Sequence, residues 1–237
     1  MKQLHGIQLQ ILRKLLFARE LRYAEMKPDR EMENNQFDFH LDQLIKAGFI
    51  EKKEKGYALT SVGKEYANRI DTDEVKVMKQ ARLSAWAVGV RKIKDKWQFL
   101  VYTRLKQPFF GCQGFVSGKI GFGERIVQAA ERELKEETGL LGTAEIVKMV
   151  HYRVFDKKDK HLLEDKIMFL CRIVNPTGKL ETESEEGRYE WVDEEKLPEY
   201  VTNHFESWEV FAGQVKAVKE FDGNVKIEEI DHWSEKF

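Results

Sequence analysis

The sequence predicts an α/β or α+β architecture in two parts. A small helical domain with one hairpin is expected over residues 1–70 and a domain of mixed strands and helices over 81–237. A polar linker at 71–80 joins them. Three observations predict this. The chain has 237 residues, enough for one large domain or two modest ones. Apolar spacing is helical through the first seventy residues and then switches to strands interrupted by helices from Leu83 onward. Hydrophobic residues make up 42% and aromatics 11%, which supplies a sizeable core and excludes a mainly disordered chain.

In the first part, Leu9, Leu12, Leu15 and Leu16 fall on one face at helical spacing. A second short helix is expected at Tyr23 to Met26, stopped by Pro28. A third runs from about Glu33 to Lys46, with Phe37, Leu41, Leu44 and Ile45 as its apolar stripe and Gly48 at its end. Phe49-Ile50 and Tyr57-Ala58-Leu59 flank a charged turn containing Gly56, the pattern of a hairpin. Thr60 or Ser61 caps a last helix running to about Arg69. Helix–helix–helix–hairpin–helix is the order of a winged helix-turn-helix domain, and Phe39 to Tyr66 resembles the same region of winged-helix transcriptional regulators.

The segment 1–70 carries thirteen Lys and Arg against ten Asp and Glu, a balance of only +3. Asn34, Asn35 and Gln36 at the start of the third helix are candidates for reading base edges, and Lys52, Lys53 and Lys55 on the hairpin for touching phosphates. Glu33, Asp38 and Asp42 on the same helix would repel DNA. Two readings of this part stand open: DNA binding, with a homodimer reading two half-sites, and a dimerisation or protein-docking module.

In the second part, strands are expected at Leu83 to Val90, Gln98 to Tyr102, Ala144 to Phe155, Lys166 to Val174 and Glu190 to Val192. Helices are expected between Glu124 and Glu137 and from Phe205 to Lys219, the latter a C-terminal helical extension, while Val225 to Phe237 shows no pattern. Lys and Arg number 40 against 41 Asp and Glu, so overall charge gives no sign of a nucleic-acid partner. No apolar run approaches the roughly 18 residues of a membrane span, and Met1 to Gly6 does not read as a signal peptide. Cys112 and Cys171 alone make neither a disulfide framework nor a zinc cluster, so a cytoplasmic location is expected.

The most informative segment is Gly118 to Leu140. Residues from Arg125 to Glu137 include no Gly or Pro, and Ile126, Ala129, Ala130 and Leu134 form an apolar face. Glu133, Glu136 and Glu137 are spaced i, i+3, i+4 and share another face. Like charges so placed repel by a few tenths of a kcal/mol each, near the helix end where the dipole disfavours anions. Arg132 offsets part of this; a hard divalent cation binding carboxylate oxygens would offset the rest. A solvated acidic face is the alternative on charge pattern alone.

The string decides between them. Gly118, Glu124, Arg132, Glu133, Leu134, Glu136, Glu137, Gly139 and Leu140 fill every specified position of G-x5-E-x7-R-E-U-x-E-E-x-G-U, where U is a bulky aliphatic residue. This 23-residue signature is that of the Nudix hydrolase family, and the resemblance extends over about residues 82–200, with Glu185 to Val192 similar to a later segment of the family. It implies an α/β/α sandwich with a mixed sheet, and hydrolysis of a nucleoside diphosphate linked to another moiety with Mg2+ or Mn2+. Glu133, Glu136 and Glu137 would be metal ligands, one of them alternatively the general base, and the Gly118 carbonyl a further ligand. Glu124 would support the site through Arg132, or approach a metal itself. Glu186 is the first candidate for an acidic residue from a later loop, with Glu183, Glu185 and Glu190 as competitors. Trp97, Phe109, Phe110, Phe115 and Tyr152 are candidates for stacking a base or for the core. Lys119 and Arg125 are candidates for steering phosphates, and His151 and His161 are expected outside the chemistry. The alternative function is a nucleotide-sensing transcriptional regulator with this domain as effector.

Overall fold

The structure, a computed structural model, describes residues 4–235; sequence readings that reach Met1 to Gln3, or Lys236 and Phe237, lie outside the described residues. The chain divides into two compact units, Met1–Lys79 and Gln80–Phe237.

The first unit runs α1 (Gly6–Leu16), α2 (Tyr23–Met26), α3 (Asn34–Lys46), a hairpin of β1 (Ile50–Lys52) and β2 (Tyr57–Leu59), and α4 (Ser61–Ala67). The His5 side chain accepts the Ile7 N–H, and Gln8 accepts the His5 N–H, so α1 opens with a reciprocal cap. Ile11, Leu12 and Leu15 of α1 are buried with Phe37, Leu41 and Leu44 of α3. Each such side chain contributes about 1.5–3 kcal/mol on burial. Ile50 faces Leu59 across the hairpin and closes the same core. Thr60 Oγ1 accepts the Gly63 N–H at 3.0 Å and starts α4. A Cβ on Gly63 would lie 1.9 Å from the Phe49 carbonyl oxygen, so this helix reaches the hairpin only with glycine there.

The segment 71–80, read from sequence as a linker, differs. Its first part forms a hairpin of β3 (Ile70–Asp71) and β4 (Lys76–Val77) that belongs to the first unit. Asp71 Oδ1 accepts the N–H groups of Asp73 and Glu74, and Arg13 Nε donates to the Thr72 carbonyl. These polar ties leave no apolar signature in the sequence.

The second unit holds β5 (Arg82–Ile93), β6 (Lys96–Arg104), β7 (Gln113–Gly114), β8 (Val116–Lys119), α5 (Ile126–Thr138), β9 (Ala144–Asp156), β10 (Leu162–Val174), β11 (Gly187–Asp193), α6 (Leu197–Tyr200), α7 (Trp208–Lys219) and β12 (Lys226–Ser234). The sheet order is β11-β6-β5-β10-β9-β12, with β7 on β6 and β8 on β5. It is mixed: β10 pairs parallel with β5 and β12 with β9, and the other pairs are antiparallel. One face packs Ala85, Ala87, Cys171 and Ile173 against Ala130 and Leu134 of α5. The other packs Trp86, Val88, Phe99 and Leu170 against Phe211 and Val215 of α7. The result is an α/β/α sandwich. None of the helices among the described residues is long and apolar enough to cross a membrane.

β12 is the element that sequence reading passed over. Its residues are mostly exposed, so it has no apolar alternation. Opposite charge and ring contacts join it to β9: Lys148 to Glu228 at 2.8 Å, Arg153 to Asp231 at 2.7 Å, and Trp233 stacked on Phe155.

Candidate active site

β5 and β8 hold Gly118 at the end of the sheet, directly opposite Ala85. A Cβ on Gly118 would stand 1.8 Å from the Glu133 carboxyl carbon. Any larger residue would displace Glu133, which explains why the motif begins with glycine. From Lys119 the chain loops to Arg125, and α5 follows until Gly139, in the left-handed region at φ 71°, ends it.

Arg132 straps this loop to the helix. Its Nε and Nη2 donate to the two Glu124 oxygens at 2.7 and 3.0 Å, and Nη2 also donates to the Lys119 carbonyl at 3.0 Å. Its Nη1 donates to Glu133 at 2.7 Å and Glu136 at 3.0 Å. Glu124 also accepts the Gly121 N–H at 2.7 Å. Hydrogen bonds from Arg132 and Gly121 bring the Glu124 carboxyl down to about 2, and the three glutamates raise Arg132 above the ordinary arginine value. Burial raises Glu133, with Glu136 and Glu137 adding to it and Arg132 opposing it. Glu137 accepts the Tyr189 hydroxyl, which lies 3.0 Å from Ser184 Oγ, and the Tyr189 ring stacks on Tyr102.

Glu133, Glu136 and Glu137 line one cleft of about 600 Å3. Gly118 and Lys119 line it too, and so does Glu186, which is ion-paired with Lys106 and whose carbonyl accepts the Leu105 N–H at 2.8 Å. Glu124 and Arg132 stand behind the cleft wall. Of the competing acidic residues, Glu183 pairs with Arg188 at 3.2 Å and Glu190 accepts the Tyr200 hydroxyl at 2.8 Å, and neither these nor Glu185 lines the cleft. Phe109, Phe115 and Tyr152 are buried and line it; Phe110 and Trp97 do not. Arg125 precedes α5 away from the cleft, His151 pairs with Asp165 at 2.9 Å and His161 with Asp159.

Sequence reading missed Arg104 and Lys106, which line the same cleft from β6 and the turn after it. Arg104 is held by the carbonyls of Pro108 at 2.6 Å and Gln107 at 3.2 Å. Burial and Arg104 lower Lys106, while Glu137 and Glu133 raise it. Neither residue carries a local motif; only pairing β6 beside β11 brings them opposite α5.

Three carboxylates share this cleft, the oxygen donors a hard divalent cation prefers; among the described residues the ligand atoms that converge within 4.8 Å of one another are instead those of Asp156, Asp159 and His161. Arg132 and Tyr189 engage one oxygen each of Glu133, Glu136 and Glu137, so the remaining oxygens are the donors on offer.

In the first unit, Asn34, Asn35 and Gln36 are exposed on the first turn of α3, where Asn34 Oδ1 accepts from Lys27 at 2.7 Å. Lys52, Lys53 and Lys55 are exposed along the hairpin, with Lys53 paired to Glu51 at 2.9 Å.

The family model described as NUDIX domain matches residues 82–214, and one described as a domain of unknown function (DUF7347) matches residues 4–70. The chain is 29% identical over 152 residues to an ADP-ribose pyrophosphatase of Methanocaldococcus jannaschii, covering 63% of this chain and 86% of that one. The mutator MutT protein of Bacillus halodurans has a similar solved structure, at TM-score 0.50 and 16% identity over 66% of this chain and 93% of that one. The NUDIX domain of Shewanella oneidensis NrtR, solved with ADP-ribose, superposes at TM-score 0.49 and 17% identity over 67% and 97% of the two chains. The transcriptional-regulator alternative gains no support, because the match to residues 4–70 assigns no function.

Proposed function

The chain belongs to the Nudix hydrolase family and is a hydrolase of pyrophosphate bonds, and on that premise we propose that it cleaves a nucleoside diphosphate linked to another moiety, with Mg2+ or Mn2+ as cofactor. The observation that carries this reading is the complete motif folded as loop and helix, with Glu133, Glu136 and Glu137 lining the same cleft as Arg104 and Lys106. An ADP-ribose-like compound is the first candidate, from the activity named for the M. jannaschii relative.

Glu133, Glu136 and Glu137, with the Gly118 carbonyl and Glu186, are the oxygen ligands we assign. When bound, a divalent cation neutralises pyrophosphate oxygens and acidifies the attacking water. The chain's own residues do the rest. Arg132 keeps Glu133 and Glu136 in register with the loop. Tyr189 fixes the rotamer of Glu137. One of the three glutamates takes the proton of the attacking water on a carboxylate oxygen. Arg104 and Lys106 face the phosphate oxygens and stabilise the charge that develops as the P–O–P bridge breaks. With ADP-ribose, water adds to one phosphorus and the products are AMP and ribose 5-phosphate. Cys112 and Cys171 are buried thiols, in keeping with a reducing cytoplasm.

The test is product chromatography on purified protein with Mg2+ or Mn2+ against ADP-ribose, dinucleotides, nucleotide sugars and nucleoside triphosphates. Cleavage of a diphosphate-linked compound that stops in excess chelator is the expected result. Turnover that persists in chelator overturns the cofactor assignment.

A further inference from the structure

A second cavity, of about 650 Å3, is lined by β9, β12, α7 and the turn after α7. Among the described residues it shares no lining side chain with the carboxylate cleft. The edge strand makes it: parallel pairing on β9 sets Lys226 beside Lys148, Glu228 beside Val150 and Ile230 beside Tyr152. Without β12 the cavity would lose one side.

The charges around it are sorted by element. The strands contribute Lys148 and Lys226 against the single carboxylate of Glu228. Lys148 is buried and already paired with Glu228 at 2.8 Å, so the strand side keeps a positive excess. The helix and its following turn contribute Glu209, Glu220 and Asp222 against Lys216. Lys216 reaches Glu220 only at 3.9 Å, and the helix side keeps a negative excess. Glu220 caps the C-terminus of α7, where the helix dipole also favours a cation. Val150, Ile230, Ala217 and Phe221 supply an apolar lining between these groups.

A simple anion would meet the carboxylates of the helix side, and a simple cation would meet the lysines of the strands. A molecule that carries both charges satisfies both sides, and the apolar lining suits a hydrocarbon or aromatic group attached to it. We propose that this cavity binds an α-amino acid with an apolar side chain, its carboxylate at Lys148 and Lys226 and its ammonium at Glu220 and Asp222. A volume of about 650 Å3 holds a molecule of that size with room to spare. The site is separate from the hydrolytic one and does not depend on which diphosphate compound the enzyme cleaves.

Calorimetric titration of the full chain with L-phenylalanine and L-leucine tests this. At least one should bind. Its amide, which lacks the carboxylate, and its deaminated acid, which lacks the ammonium, should each bind weaker by about tenfold or more. Lys226→Met and Glu220→Gln should each weaken the amino acid by about threefold or more. Both side chains are exposed, and neither change touches the Lys148–Glu228 pair that holds β12, so both variants should fold, as circular dichroism checks. ADP, a probe for the carboxylate cleft, should leave the amino acid in place. Failure of both amino acids to bind at millimolar concentration overturns the proposal. So does an analogue that binds as tightly as its parent, or an unchanged affinity in both folded variants. Displacement by ADP would put the amino acid in the carboxylate cleft and overturns it too. The analogue series needs no variant and stands as a test if either substitution unfolds the chain.

Discussion

At the scale of single residues, the motif separates side chains that line the cleft from those that hold them in place. Glu137 lines the cleft and, among the described residues, accepts the Tyr189 hydroxyl, so Glu137→Gln, which keeps the volume, should fold normally. It should lose activity by at least ~100-fold, the upper end of what losing an outer-shell partner costs. Circular dichroism and turnover read the two effects separately. Tyr189→Phe removes the hydroxyl but keeps the ring stacked on Tyr102. Its cation affinity, measured calorimetrically with Mn2+ and no substrate, should fall by roughly 10–100-fold. Glu124 acts through pH. Its carboxyl is lowered from 4.5 to about 2, so the stability it adds is complete above pH 4.5 and is lost as pH falls towards about 2. Glu124→Gln should therefore melt below the wild type at neutral pH and match it at the acid end, as seen in thermal melts across that range.

Elements differ in how far the sequence reveals them. α5 was legible because its apolar face, its carboxylates and its glycine stop all lie within 23 residues. α3 was legible from Phe37, Leu41 and Leu44, although the structure buries His40 on that face and leaves Ile45 half-buried. β12 was not, because an edge strand held by ion pairs to its neighbour resembles a charged loop in sequence. The hairpin at 70–77 escaped for the same reason, and the inner cleft escaped because β5, β9 and β10 meet only through long-range pairing. At α4, Gly63 is fixed by its approach to Phe49. Gly63→Ala should destabilise the first unit by about 1–3 kcal/mol, the usual cost of overpacking. Amide hydrogen exchange of the residues of the first unit, followed across a denaturant series, checks this.

For the whole molecule, every residue assigned to the chemistry lies in the unit Gln80–Phe237. A fragment beginning at Gln80 should fold and keep the turnover of the full chain; a folded fragment without turnover would mean that the first unit completes the site. The family and the carboxylates of the site could be read from one contiguous stretch. The cationic wall of Arg104 and Lys106 could not, because it exists only once β6 is seated beside β11.

The Arg132 strap bears on what happens when divalent cations become scarce. A bare cluster of three carboxylates would strain its helix by a few tenths of a kcal/mol per pair. Here a resident guanidinium already shares its charge among Glu124, Glu133 and Glu136. If the proposed cation is removed, the enzyme should therefore lose turnover and stay folded.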